Sequence, residues 1–546
     1  MHRPRTTLAA AILIFLSFLV ATEAAQSVRV PPRLILVLSV DQMRYEYLTR
    51  FRQIFKGGFR KLLDQGAVFS NAFYRHANSE TGPGHSVILS GRHASHSGIV
   101  ANTWFDPFLK KAINVVDDPV HLPVGGPGRS ASPANFIGFT VGDVLKQHSP
   151  KSKVVGVSLK DRSAILMAGP RGDAAFWFET EGGNFITSTY YMSEAPAWLV
   201  NWNRLRAADR YAGQKWTRLF DDDQFYEKNS GKDAIEGEWD RKDIVFPHLI
   251  RGNPPDSEFY DELRRTPWAD DLTAQVALEA LKAYELGRDD APDILALGLS
   301  ATDVIGHTYG ADSQEAMDQL LRLDIVLNDL FKEIASRVGM DRTLVILTAD
   351  HGSMPLVEVL QARGITAQRV PSKSLLSSVN QALAARFPGV EGLVAMYDPP
   401  NFYLNEGVIL NKGLKRDEVE ATVVTALMNS GVIEVAYTQS DMLKNPPPDR
   451  PFFKLFRNSF YQPRSPHVLA SVKKHIYLDD RPGGTGHGTP HEYDRHVPII
   501  FMGESVKPGL YPELCGPEDI APTLAKMLGF PYPCEEDSRL LLEMSR

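Results

Sequence analysis

The sequence predicts an α/β fold, with a central, mostly parallel sheet flanked by helices and interrupted by insertions. Three observations predict it. Near-continuous apolar runs recur along the chain, as expected of strands buried on both faces of a parallel sheet. Stretches with apolar residues at helical spacing lie between them, the alternation that builds such sheets. Several runs end on acids, and open parallel sheets bind their ligands beyond the C-terminal ends of the strands.

The chain has 546 residues, 43% of them apolar and 23% charged, which suits one large soluble core with insertions. Its net charge is −7 and no basic block stands out, which disfavours a general nucleic-acid surface while leaving room for a local cationic pocket that takes a small anion.

In chain order, residues 1–24 read as a secretory signal peptide. Arg3 and Arg5 precede an apolar run from Leu8 to Val20, and Thr22 and Ala24 suit the −3 and −1 positions of a cleavage site. The alternative is an uncleaved anchor; no later segment is long and apolar enough to span a bilayer. The mature protein is thus expected in the periplasm or secreted. Residues 25–354 form the first part of the core, with an insertion at about 170–267 rich in Trp, Tyr, Asn and Gly. Its strands are Leu34–Val40, Val154–Leu159, Ile294–Leu299 and Leu344–Thr348. Met317, Leu320, Leu321, Leu327, Phe331 and Ile334 line one face of a helix. Residues 355–465 have their own helix and strand patterns and read as an inserted, cap-like subdomain. Residues 466–546 return to the core with a strand at Val497–Met502 and a helix at Ile520–Leu528, opened by Glu518 and Asp519. Cys515 and Cys534 are the two cysteines; an exported chain meets an oxidising compartment, so a disulfide between them is expected, closing a short loop and contributing about 3 kcal/mol.

Three apolar strands lead to Asp41, Asp303 and Asp350. Any one of these acids alone is well explained as a helix N-cap. Three together at the strand ends would repel one another unless cations neutralised them. His307 follows Asp303 by four residues, His351 follows Asp350 directly, and His487 lies between glycines in TGHGTPH. This mixed set of N and O donors suits Zn²⁺, and six ligands exceed what one catalytic zinc takes, so two ions are expected. A nucleophile is expected in the glycine-rich segment His76–Ser86, which reads as a loop entering a helix; a helix N-terminus offers free N–H groups and the positive end of its dipole. Ser79, Thr81 and Ser86 are the hydroxyl candidates, and spacing alone does not choose among them.

The ordered motifs resemble the alkaline phosphatase superfamily. They are DQMR at Asp41, TxxxH at Thr81–His85, SGRHASHSGIVANTWFD at Ser90–Asp106 and SLKDR at Ser158–Arg162. TDVIGH at Thr302–His307, TADHG at Thr348–Gly352, GHG at Gly486–Gly488 and DIAPTLAKMLG at Asp519–Gly529 complete them. More narrowly, the chain resembles the phosphate-irrepressible, threonine-nucleophile bacterial alkaline phosphatases and their relatives, the nucleotide pyrophosphatase/phosphodiesterases. The residues around Thr81, NSETGPGH, differ from the apolar-flanked threonine segments of those relatives. The resemblance implies that Asp303, His307 and His487 hold one zinc, and that Asp41, Asp350 and His351 hold the other together with Thr81 Oγ. It implies attack by Thr81 through a phosphothreonine, with Asn102 donating to a phosphoryl oxygen. Lys160 and Arg162 would stabilise the extra charge of a monoester dianion, which favours small phosphate monoesters as substrates. A phosphodiesterase or nucleotide pyrophosphatase on the same metals is the alternative. A secreted, non-catalytic binding protein is disfavoured by the intact ligand set, and a sulfatase by the absence of its modified-residue segment.

Overall fold

The computed structural model describes residues 31–239 and 243–546. The expected signal peptide at residues 1–24 lies outside the described residues. Among the described residues no helix is long and apolar enough to cross a membrane.

A ten-stranded, mostly parallel sheet forms the centre, with helices on both faces. Its main strands are β1 (Leu34–Val40), β2 (Val154–Ser158), β3 (Ala174–Glu179), β4 (Asp293–Leu299), β5 (Thr343–Thr348) and β6 (Ile499–Met502). The spatial order is β6-β5-β1-β4-β2-β3, and the last five of these run parallel. All seven residues of β1 are buried because both faces of the sheet are covered. Their alternation assigns them to two layers. Leu34, Leu36, Leu38 and Val40 pack with the helices Trp268–Ala283 and Gln314–Arg337; Ile35 and Val37 pack with Ile88, Leu89, Leu145, Ile520 and Leu524 on the other face.

Two differences from the sequence expectation have simple causes. The run at Val497–Met502 does form a strand, but β6 is antiparallel to β5. An apolar run reports burial and not direction. The chain enters β6 shortly after the His487 loop, which lies at the C-terminal ends of the parallel strands, so it must run back down the sheet. Within the stretch read as an insertion, β3 and the strand Asn184–Ser188 belong to the main sheet.

A second sheet of four antiparallel strands, in the order Val394–Asp398, Asn401–Leu404, Val468–Val472, Ile433–Thr438, lies outside the first. The helices Ser372–Arg386 and Arg416–Asn429 cover it through Leu375, Val379, Val423 and Leu427. Strand pairing carries this unit past residue 465, since Ile476–Leu478 pairs with Gln368–Val370.

The expected disulfide is not formed. Cys515 is fully buried in the second core layer and Cys534 is exposed, and both are free thiols. The backbone at Cys515 bridges to Ala72, which turns that side chain into the core and away from the surface where Cys534 sits.

Candidate active site

Four parallel strands end side by side and deliver the polar residues. The registers Val40↔Leu299, Ser39↔Thr348 and Gly298↔Ser158 bring those ends level. Asp41 follows β1 directly. Lys160 follows β2 and precedes the helix α1 (Asp161–Ala168), which carries Arg162. After β4 the helix α2 (Ala301–Tyr309) places Asp303 and His307 one turn apart on the same face. Asp350 and His351 follow β5, and His487 comes from the loop before β6.

The metal-ligand candidates gather into two groups of three, Asp303–His307–His487 and Asp41–Asp350–His351, with ligand atoms of each group within 4.8 Å of one another. In the first group His307 Nε2 is 3.2 Å from Asp303 Oδ1 and 3.2 Å from His487 Nε2. In the second, His351 Nε2 is 3.2 Å from Asp350 Oδ2 and 3.6 Å from Asp41 Oδ1. The rings of His351 and His487 stack at 3.6 Å and join the groups.

The residues fit a bound cation on their own hydrogen bonding. Each histidine turns Nδ1 to a backbone carbonyl: His307 to Thr485 at 2.7 Å, His487 to Ser79 at 2.7 Å and His351 to Gly352 at 2.9 Å. That assignment leaves all three Nε2 lone pairs aimed into the site, the arrangement typical of metal-binding histidines. Asp41 Oδ1 and His351 Nε2 are buried without a hydrogen-bond partner, and such orphaned acceptors are costly unless a cation meets them. Burial keeps His487 well below the ordinary imidazole range, with His351 and His307 adding to it; burial likewise lowers His351. Neutral imidazole is the metal-binding form.

Lys160 lies between the groups. Its ammonium is 2.7 Å from Asp41 Oδ2 and 2.5 Å from Asp303 Oδ2. Burial alone would raise Asp303, but Lys160 and His307 outweigh it and hold that carboxyl well below its ordinary range. Asp41 goes the other way. Burial and the neighbouring charge of Asp350 push it well up, against the pull of Lys160.

Thr81 is the first residue of the helix Thr81–Ser90, all of which is buried. Gly84 permits this, because a Cβ there would lie 2.2 Å from the Asp350 carbonyl oxygen. His85 ties the helix down, its Nε2 3.0 Å from Ser39 Oγ and its Nδ1 3.2 Å from Asp350 Oδ2. The three hydroxyl candidates differ in their surroundings. Ser79 Oγ donates to Thr489 O at 3.2 Å and Ser86 Oγ to Pro83 O at 2.7 Å, whereas Thr81 Oγ1 receives Lys160 Nζ and Arg162 Nη2, each at 3.5 Å. Asn102 sits beside Thr81, its Oδ1 accepting Gly82 N–H at 2.7 Å. All the residues singled out in the sequence therefore converge on one site.

Gln42 was missed. Its N–H donates to Asp350 Oδ1 at 3.0 Å and its Nε2 to Asp303 Oδ1 at 2.9 Å, so one residue orients an acid in each group. Its φ of +65° is uncommon for a side chain other than glycine and accompanies this double contact. The signal available was its place beside Asp41 at a strand end.

The pattern of the type I phosphodiesterase/nucleotide pyrophosphatase family matches residues 35–495. The chain is 32% identical over 514 residues to alkaline phosphatase PafA of Elizabethkingia meningoseptica, covering 92% of each chain. It is 30% identical to a calcium-transporting ATPase of Myroides odoratus, covering 97% of each, and 30% identical to alkaline phosphatase PhoV of Synechococcus elongatus, covering 94% of this chain and 93% of that one. The crystal structure of wild-type PafA superposes with a TM-score of 0.88 at 31% identity, over 94% of this chain and 99% of PafA. Fold, strand-end chemistry and sequence agree, and the chain belongs to the type I phosphodiesterase/nucleotide pyrophosphatase family, within the alkaline phosphatase superfamily.

Proposed function

We propose that this chain is an alkaline phosphatase that hydrolyses small phosphate monoesters at a two-zinc centre, through a phosphothreonine on Thr81. It is a phosphoric monoester hydrolase, as PafA and PhoV are alkaline phosphatases by name. The observation that carries the reading is the meeting of Lys160 Nζ and Arg162 Nη2 at Thr81 Oγ1, beside two groups of ligand residues.

Asp303, His307 and His487 would hold one zinc, and Asp41, Asp350 and His351 the other, with Thr81 Oγ joining the second. Zinc so bound supplies Lewis acidity and charge for the attacking and leaving oxygens, so no separate general acid is needed. Thr81 Oγ attacks phosphorus at the positive end of its helix; the Oγ–P bond forms as the P–O bond to the alcohol breaks, and water then cleaves Oγ–P to release phosphate. Asn102, its Oδ1 fixed by Gly82, donates from Nδ2 to a phosphoryl oxygen. Lys160 and Arg162 face the additional charged oxygen that distinguishes a monoester dianion from a diester. Residues 1–24 are read as the export signal, which places the enzyme in the periplasm or outside the cell. Residues 355–465 are read as a cap-like unit on the core.

The family also contains phosphodiesterases, so the test compares both substrates. Hydrolysis of p-nitrophenyl phosphate and bis-p-nitrophenyl phosphate is measured at alkaline pH with zinc, for the wild type, Thr81→Ala and Lys160→Ala/Arg162→Ala. The expected result is strong preference for the monoester, near-complete loss in Thr81→Ala, and a selective monoester loss of roughly 10²–10³ in the double variant. Preference for the diester, unchanged by the double substitution, would establish the phosphodiesterase reading instead.

A further inference from the structure

Glu80 directly precedes Thr81 and is the acidic member of the NSETGPGH segment. It occupies the N-cap position of the nucleophile helix with extended backbone, yet its side chain does not cap that helix. It reaches across to Asn102, accepting the Asn102 backbone N–H on Oε2 at 2.6 Å. The Asn102 side chain is held separately, by Gly82 N–H on Oδ1 at 2.7 Å. Two anchors on one residue, one on the main chain and one on the amide, fix its position and rotation. With Oδ1 committed to Gly82, the amide's N–H groups are left for a ligand.

A carboxylate beside an anion site needs a reason, because it repels the substrate. A charge-assisted hydrogen bond of this length to a backbone amide is a strong one. Burial raises the Glu80 carboxyl above its ordinary range, against the pull of the Asn102 N–H, the Arg162 charge and Asn78 toward the charged form. Asp398, from the second sheet, is also near, and burial and the charge of Glu80 push its carboxyl up to about 7. A cleft near this edge is lined by Asn78, Ala101, Asp398, Tyr403 and Gly488, so residues of the second sheet approach this side of the site.

We infer that Glu80 is a positioning residue for phosphoryl recognition: its carboxylate holds the Asn102 main chain so that the Asn102 amide faces the anion at Thr81. The inference rests on the phosphomonoesterase reading above. The role requires a long side chain ending in an acceptor. Glutamine keeps the acceptor, whereas serine caps the helix well but is too short to reach Asn102, so Glu80→Ser keeps the fold and removes only the contact.

The test is a double-mutant cycle on kcat/KM for p-nitrophenyl phosphate in the zinc-loaded enzyme, with Glu80→Ser, Glu80→Gln, Asn102→Ala and Glu80→Ser/Asn102→Ala, and thermal melting of each. The expected result is a loss of about 10–100-fold for Glu80→Ser, within the span of a single lost transition-state donor, and within about threefold of wild type for Glu80→Gln. In the Asn102→Ala background Glu80→Ser costs at most a further twofold, because the residue it positions is gone. Multiplicative losses in the double variant, no loss in Glu80→Ser, or failure of Glu80→Gln to restore activity would overturn the inference. An inactive wild type would instead sink the underlying phosphatase reading and this inference with it, while an Asn102→Ala variant as active as wild type would leave the phosphatase reading standing and overturn this inference alone.

Discussion

Replacing Lys160 by alanine separates two jobs that one ammonium performs. Its nitrogen lies within 2.7 Å of Asp41 Oδ2 and 2.5 Å of Asp303 Oδ2, and all three side chains are at most 6% exposed. In metal-stripped protein it is the cation these buried carboxylates meet, and breaking a buried ion pair by removing one partner costs about 3–5 kcal/mol. In zinc-loaded protein the metals supply that charge, and the loss should fall by about 2 kcal/mol or more. The thermodynamic cycle then requires zinc to bind Lys160→Ala tighter, by roughly thirtyfold. The pH dependence has a definite sign. The ammonium attracts only ionised carboxyls. Asp303, held well below its ordinary value, contributes stability that is present above about pH 4 and lost as pH falls through its depressed value. Asp41, pushed up by burial, binds its proton more tightly folded than unfolded, so it costs stability as pH rises, and Lys160 reduces that cost. Both effects make the loss on Lys160→Ala grow as pH rises from acid to alkaline. Urea denaturation in EDTA and in zinc at pH 5 and pH 8, with a competitive zinc titration, measures all of this. A loss under about 1 kcal/mol in EDTA at pH 8, or equal losses with and without zinc, would refute the reasoning.

Two further outcomes concern the scaffold. Asp324 accepts backbone N–H groups from Lys56 at 2.8 Å, Gly57 at 2.6 Å and Phe59 at 2.7 Å, closing the start of the helix Gly58–Gln65; Asp324→Ala should cost about 2–4 kcal/mol by urea denaturation, and Asp324→Asn clearly less, since it keeps one acceptor. Cys515 and Cys534 should titrate as two thiols in denaturant, with a chromogenic disulfide reagent reaching Cys534 first in the native enzyme. Burial pushes the Cys515 thiol up to about 12 and hides it, and dithiothreitol should leave the melting temperature unchanged.

Much of the frame was legible because its signals are local. The run Leu34–Val40, the helix stripe from Met317 to Ile334 and the acids after three strands each state their own environment. Direction is not local. Nothing in Val497–Met502 says that β6 runs against β5, because that follows from where the preceding loop arrives. The cysteines misled for a similar reason: compartment and count suggested a bridge, but the Ala72 backbone pairing turns one thiol inward. Within the site, residue types pointed to ligands, yet Lys160 bridging both acids and Gln42 serving both groups depend on the levelling of four strand ends. Glu80 was visible only as a departure from pattern; its meaning needed the 2.6 Å contact to Asn102.

The placement of β6 has a bearing on how the chain is made. The early strand Ala67–Phe69 reaches the main sheet only through β6, and His487 finds the Ser79 carbonyl across a sequence separation of 408 residues. During synthesis the strand Ala67–Phe69 waits unpaired while nearly the whole protein is built, and an unpaired edge is an invitation to aggregate. The third member of one ligand group arrives with the same late segment. A chain cut short before residue 487 would leave that group at two residues, while Asp41, Asp350 and His351 are all in place by residue 351, so the pair of ligand groups is complete only after almost all of the polypeptide has been made. An incomplete product therefore lacks one of its two ligand groups.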